Sequence, residues 1–368
     1  MKPEEMVKDK KDVIPKGVNW IKDYVVSFEP EKNLIITASG VEVRYQYLIL
    51  CPGIQLDLHL IKGLKETLGK NGVTSNYAGY GAYSWDLIKN FKGGNAIFTY
   101  PATPIKCGGA AQKVMYMADY VFKSKSGVGV NTKVMFCTAG TKLFAVPACS
   151  KVLEEIVARR GIEVKYQHNL KEIKPETREA IFDVTTPDGI KEVSIKYELL
   201  HVAPTMRAPD FIKKSPFAQQ NGDGGGWIDV AQYTLQHKRY ANVFGLGDAT
   251  SLPTSKTAAA VRAQAPVVVE NLLALMSGKP LTARYDGYTC CPIITGYNSA
   301  IFAEFDYENI PISSFFMDPT KERYSMFLVK RYLLPWLYWN RMLKGKPLET
   351  EIYKKLGLRQ WRQKAPSV

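Results

Sequence analysis

The chain has 368 residues, of which 46% are hydrophobic and 23% charged, which excludes a disordered, collagen-like or low-complexity chain and leaves room for two compact domains. Lysine and arginine (49) outnumber aspartate and glutamate (35), a net charge of +14 that suits an anionic partner such as a membrane surface. No RNA- or DNA-binding module accompanies that charge, so no nucleic-acid partner is expected.

Six cysteines, at 51, 107, 137, 149, 290 and 291, are too sparse for a disulfide-stapled scaffold and show no CxxC spacing. The histidines at 59, 168, 201 and 237 have no metal-ligand spacing, so no metal is assigned. The start, MKPEEMVKDKKDVIPK, lacks an apolar core and reads as neither a secretory signal nor a transit peptide. No stretch reaches the ~18 uninterrupted apolar residues of a membrane span, so a membrane contact is expected to be peripheral.

In chain order, VNWIKDYVVSFEP, KNLIITASG and VEVRYQYLILCPG predict a three-stranded antiparallel meander, with Glu29-Pro30-Glu31-Lys32 and Ser39-Gly40 at the turns. Tyr47 to Leu50 is continuously apolar, as for a strand buried on both faces of a larger sheet. From Asn95, strands 95–100, 133–137 and 162–166 alternate with helices over 108–123 and 148–160, the pattern of right-handed βαβ crossovers in a parallel sheet. Hairpin-like segments follow at 170–173, 179–185 and 192–195, leading into the apolar strand 197–202. The glycine-rich stretch 221–226 reads as a surface loop. A strand over 242–245 then runs into Gly247-Asp248 and a helix over 254–275 capped by Thr254 or Ser255. Beyond Gly278 the chain turns aromatic and basic.

Phe244-Gly245-Leu246-Gly247-Asp248-Ala249 followed by Thr254-Ser255-Lys256-Thr257 has a definite physical use. A buried strand delivers glycines that let a ligand approach the backbone, an aspartate that can accept from a polyol, and a helix N-terminus that favours an electron-rich group. This segment resembles the second FAD motif of flavoproteins with two dinucleotide-binding domains, and LILCPG, ending at Gly53, resembles its companion motif. In their pyridine-nucleotide-dependent members the second domain carries GxGxxG; here Phe98-Thr-Tyr-Pro-Ala-Thr-Pro-Ile-Lys-Cys-Gly-Gly109 replaces it, which argues against NAD(P). Cys107 stands at this loop-to-helix junction after Lys106, where a cation and the helix dipole both stabilise a thiolate.

Together with TYPATPIKCGGAAQK and TSKTAAAV, the segment YDGYTCCPIITGYN resembles sulfide:quinone oxidoreductases of the eukaryotic mitochondrial type, from about Val13 to Gly345. The resemblance implies an α/β two-dinucleotide-binding-domain flavoprotein fold. FAD-binding residues 1–56 and 221–284, a second domain over 57–220 and a redox-cysteine, membrane and quinone region over 285–368 are the expected divisions. It further implies Cys107 and Cys291 as the redox pair, with Gly53, Gly247, Asp248 and Lys256 at the FAD. Sulfide attacks the bridged pair, one cysteine becomes a persulfide, electrons pass through FAD to ubiquinone, and the sulfane sulfur goes to sulfite or a thiol such as glutathione. The mitochondrial inner membrane is the implied location. The family's first βαβ unit, with its own GxGxxG, has no counterpart before Gly17, so the FAD domain is expected to lack it.

Adjacent cysteines are poor partners for each other, because a vicinal disulfide strains the backbone, so Cys290 and Cys291 are not expected to pair. Cys51, Cys137, Cys149 and Cys290 are expected to be small buried hydrophobes. His237 is expected to pack beside the FAD-motif strand. Residues 321–344 set aromatics and leucines among basic residues, the composition of a segment lying at the acyl boundary, and Pro335 implies two short helices or a kink. Two other readings stay open: a type II NADH:quinone dehydrogenase, and a non-catalytic membrane-associated pseudoenzyme.

Overall fold

The computed structural model describes residues 7–124, 128–221, 225–314 and 318–346, with the backbone of residues 361 and 362. Of the glycine-rich loop, residues 222–224 lie outside the described residues. The meander forms from Val25–Glu29, Leu34–Thr37 and Glu42–Arg44, all antiparallel. Its turn at Asn33 uses a left-handed conformation (φ 51°), which asparagine tolerates better than most residues.

At the centre of the chain a five-stranded sheet has the order Val73–Thr74, Leu199–His201, Gly94–Tyr100, Thr132–Thr138, Glu163–Lys165, and every pairing in it is parallel. Alternate side chains of these strands supply two cores. Ala96, Phe98, Val134, Phe136 and Leu199 pack against the helices Ala110–Ser124 and Pro147–Arg159. Ile97, Met135, Cys137 and Leu200 pack against the antiparallel sheet His168–Lys174, Glu179–Thr186, Gly189–Lys196. The strands are therefore apolar on both faces, which is why they read as continuous hydrophobic runs.

Leu48–Leu50 departs from expectation. It pairs in parallel with Val243–Gly245 in a two-stranded sheet, and Ile49 is 40% exposed between buried Leu48 and Leu50. Among the described residues only one face of this strand is covered. The helix after Val243–Gly245 runs over Ala258–Met276, four residues later than its expected start. Its cap is Thr257, whose side chain accepts from Ala260 N, while residues 254–256 stay outside the helix as the arm that contacts the rest of the site. By length and composition this helix could cross a membrane, yet Asn271 is buried within it and donates to the carbonyls of Thr234 and Ala283.

The hairpin Thr289–Gly296 with Ser299–Phe305 joins the two halves. Cys291, Ile293, Ile301 and Ala303 belong to the core under the helix Ala110–Ser124, and Cys290, Ala300 and Phe302 to the core around the helix Ala258–Met276. After it, Tyr324–Leu328 continues through a π turn at Val329–Leu333 into Leu334–Asn340. Pro335 does not separate two helices, since it occupies the first turn of the last one, where its missing N–H is tolerated.

Candidate active site

The parallel pair Leu48–Leu50 and Val243–Gly245 sets Leu50 opposite Gly245, and Leu246 N donates to Leu50 O at 3.1 Å. Gly53 and Gly247 therefore leave the carboxyl ends of adjacent strands, the place where open α/β sheets bind ligands. Both have left-handed backbones (φ 80° and 82°), which a side chain would strain. Nothing lies within 4 Å of a Cβ built on Gly53, so the space above it is open. Gly247 N donates to Gln264 Oε1 at 2.8 Å, fixing the turn on the helix that follows.

Asp248 is half-buried, and burial raises its carboxyl while the lysines at 256 and 106 oppose the rise. Lys256 is buried, donates to Thr250 O at 3.0 Å and lies 3.9 Å from the centroid of the Trp227 ring. Two glycines that admit a ligand, a half-buried acceptor and a helix N-terminus flanked by a buried cation fit the isoalloxazine and ribityl end of FAD.

Lys256 O accepts from Cys107 N at 2.7 Å, so the FAD-motif segment and the cysteine loop are tied backbone to backbone. Cys107 itself is left-handed (φ 49°), an uncommon conformation for a non-glycine residue and one found preferentially at functional sites. Tyr77 Oη donates to its carbonyl at 3.3 Å, and Ala110 N at 2.7 Å opens the helix Ala110–Ser124. Cys291 reaches the same spot from the hairpin, and the two thiols are hydrogen-bond partners. Gly109 permits this contact: a Cβ there would come within 2.8 Å of Ile293 Cγ1 and 3.6 Å of Cys291 Cβ.

The pair is electrically asymmetric. The Cys291 hydrogen bond and the ammonium of Lys113, whose Nζ is 3.3 Å from Cys107 Sγ, hold the Cys107 thiol well below the usual thiol range, and Lys330 adds to the effect. As donor to that thiolate, and fully buried, Cys291 is pushed well above the range. Burial, with Lys113 close by, lowers Lys330, which the π turn places beside Cys107. Burial pushes Tyr100 up to about 12, with both cysteines contributing. A cavity of about 410 Å³ opens next to the loop, lined among others by Tyr100, Gly108, Trp227, Lys256 and Phe305.

Asp248, Lys256, Cys107 and Cys291 are thus linked by backbone bonds and electrostatic contacts, Gly247 adjoins Asp248 in the chain, and Gly53 leaves the neighbouring strand end. The cation on Cys107 is Lys113 rather than Lys106, which instead bridges Lys256 along the backbone. Lys113, Tyr77 and the hydroxyl of Thr289 escaped the sequence reading; Lys113 stands one turn into the helix and reaches back to its start. Cys290 faces away from the pair, across the hairpin from Glu304. Burial pushes Cys137 and Cys149 up to about 12 each, as expected of inert core thiols. Cys51, expected in a core, is exposed. His237 is buried beside the FAD-motif strand as expected, its N–H donating to Val243 O at 2.8 Å.

The mitochondrial sulfide:quinone oxidoreductase of Mus musculus is 47% identical over 334 residues, 90% of this chain and 73% of that protein. Its counterpart in Dictyostelium discoideum is 45% identical over 342 residues, 92% and 74% of the two chains. The chain belongs to the mitochondrial sulfide:quinone oxidoreductase family. No family model matches it. The crystallised sulfide:quinone oxidoreductase of Aquifex aeolicus superposes with a TM-score of 0.70 over 94% of this chain and 81% of its own, at 19% identity, a likeness of fold. The family is FAD-dependent, in keeping with the glycine turns and helix N-terminus described above.

Proposed function

We propose that this chain oxidises hydrogen sulfide and passes the electrons to ubiquinone, with Cys107 and Cys291 as its redox pair. The observation that carries this reading is the meeting of the two thiols, with the Lys113 ammonium 3.3 Å from Cys107 Sγ, beside the N-terminus of the FAD-motif helix.

In the oxidised pair the asymmetry sets the direction of attack. Hydrosulfide bonds to Cys291 Sγ as the Cys107–Cys291 bond breaks, because the sulfur with the lower pKa is the better leaving group. Cys291 then carries a persulfide and Cys107 a thiolate, and Lys113 and Lys330 hold the negative charge. An acceptor nucleophile, sulfite or a thiol such as glutathione, takes the outer sulfur from Cys291 and leaves two reduced cysteines. FAD, when bound by Gly53, Gly247, Asp248 and Lys256, supplies the two-electron step that re-forms the bond and delivers the electrons to the quinone.

The proposed division is an FAD-binding domain over 1–56 and 221–284, a second domain over 57–220, and a membrane and quinone region from 285. The helical arm supports peripheral docking on the inner mitochondrial membrane, because Tyr324, Leu328, Tyr332, Trp336 and Tyr338 are exposed on it beside Lys321 and Arg331. The test is sulfide-dependent reduction of a ubiquinone analogue by Cys107→Ser and Cys291→Ser. Both should fall by at least about a thousandfold with FAD retained, and a variant keeping its turnover would refute the pair.

A further inference from the structure

Three successive residues ahead of the FAD-motif helix hold both cysteine-bearing segments. Lys256 O takes the Cys107 N–H at 2.7 Å, Ser255 O takes the Thr289 hydroxyl at 3.2 Å, and the Thr257 and Thr289 hydroxyl oxygens are 2.8 Å apart. Each hydroxyl has one proton. Thr289 gives its proton to Ser255 O, so Thr257 must donate to Thr289, while Thr257 Oγ1 also accepts from Ala260 N at 3.0 Å. The result is an unbroken relay from Ala260 N–H through two hydroxyls to a carbonyl, and both threonines are buried.

Along a strand, residues two apart share a face, so Thr289 and Cys291 point the same way, toward residues 255–257 and the cysteine loop. Hairpin pairing places Thr289 opposite Phe305 and Cys291 opposite Ala303, which fixes the strand against its own partner and not against Cys107. Packing under the helix Ala110–Ser124 brings the strand to the cysteine loop, and the hydroxyl relay adds the polar connection to residues 255–257, which also hold Cys107. We infer that Thr257 and Thr289 are positioning residues, a hydroxyl clamp that sets the Cys291 thiol against Cys107; this rests on the sulfide-oxidising reading above. Two sulfurs that repeatedly make and break a bond of about 2.05 Å need such indexing, because a small misplacement costs far more rate than binding.

The test is Thr289→Val in the full chain, isosteric but without the hydroxyl. The pH midpoint of Cys107 alkylation by iodoacetamide, read by mass spectrometry, should move upward because Cys291 no longer donates to the thiolate. The kcat for sulfide-dependent quinone reduction should fall at least about tenfold with the quinone KM unchanged, and Thr289→Ser should restore both quantities. A wild-type midpoint and kcat in Thr289→Val, or a serine variant as impaired as the valine, overturns the clamp. If Thr289→Val does not fold, Thr257→Val breaks the link from the other side and decides by the same two readouts. A shifted midpoint in a protein whose wild type fails to reduce quinone with sulfide would sink the proposed function and leave the clamp standing.

Discussion

Cys107 acquires its thiolate character from groups distant in sequence as well as near it: a helix start three residues on, Lys113 six on, and Cys291 and Lys330 from the last third of the chain. Replacing Lys113 by methionine keeps most of the side-chain volume and removes the charge. Because the cation depresses the thiol, the thiolate in the wild type survives to lower pH and is lost as pH falls through the depressed value. In Lys113→Met that loss begins at higher pH, so the acid limb of the rate profile shifts upward and turnover at pH 7 falls by about tenfold, measurable by the pH dependence of quinone reduction. An unshifted acid limb would show that the ammonium has no part in the ionisation. Cys107 and Cys291 were legible in the sequence because each lies in a distinctive motif. Lys113 was not, since periodicity says which face of a helix is buried and says nothing about a lysine folding back over the helix start.

At the scale of elements, the alternating strands and helices of the central sheet stood out because each strand is apolar on both faces and each helix on one. The start of the FAD-motif helix was misjudged by four residues for a physical reason. Thr254, Ser255 and Thr257 are all competent caps, and the choice falls on Thr257 because the backbone and side-chain groups of residues 254–256 are engaged by Gly287, Thr289 and Cys107. The sheet strand Leu199–His201 carries a buried titratable group, His201, whose Nε2 accepts from Asn76 N at 3.1 Å. Burial lowers it to about 4 from 6.5. The unfolded chain protonates this imidazole as pH falls below 6.5 while the folded chain resists until about 4, so its contribution is complete above 6.5 and is lost on acidification through that window. Urea unfolding should register a loss of about 3 kcal/mol between neutral pH and pH 4 from this residue, and His201→Gln should flatten the slope. An equal slope in the variant would assign the acid sensitivity elsewhere.

Over the whole molecule, the hairpin bearing Cys290 and Cys291 is the joint: one face completes the core under the helix Ala110–Ser124 and the other the core around the helix Ala258–Met276. The same hairpin seats the C-terminal arm through paired backbone bonds between Ala300 and Arg323. The arm's composition was readable from sequence, but its π turn was not, because a one-residue widening of a helix leaves no compositional mark. Its exposed aromatics predict liposome binding: Trp336→Ser with Tyr332→Ser should cut sedimentation with anionic vesicles several-fold while quinone reduction in detergent is retained, and unchanged sedimentation would remove the arm from the membrane contact. The most direct test of the thiol pair is an anaerobic titration of the FAD-loaded protein with sulfide in the presence of sulfite as the sulfur acceptor, followed by the flavin absorbance near 450 nm. One equivalent should bleach the wild type, and Cys107→Ser and Cys291→Ser should stay oxidised at the same sulfide concentration; bleaching of either variant at the wild-type rate would contradict the account.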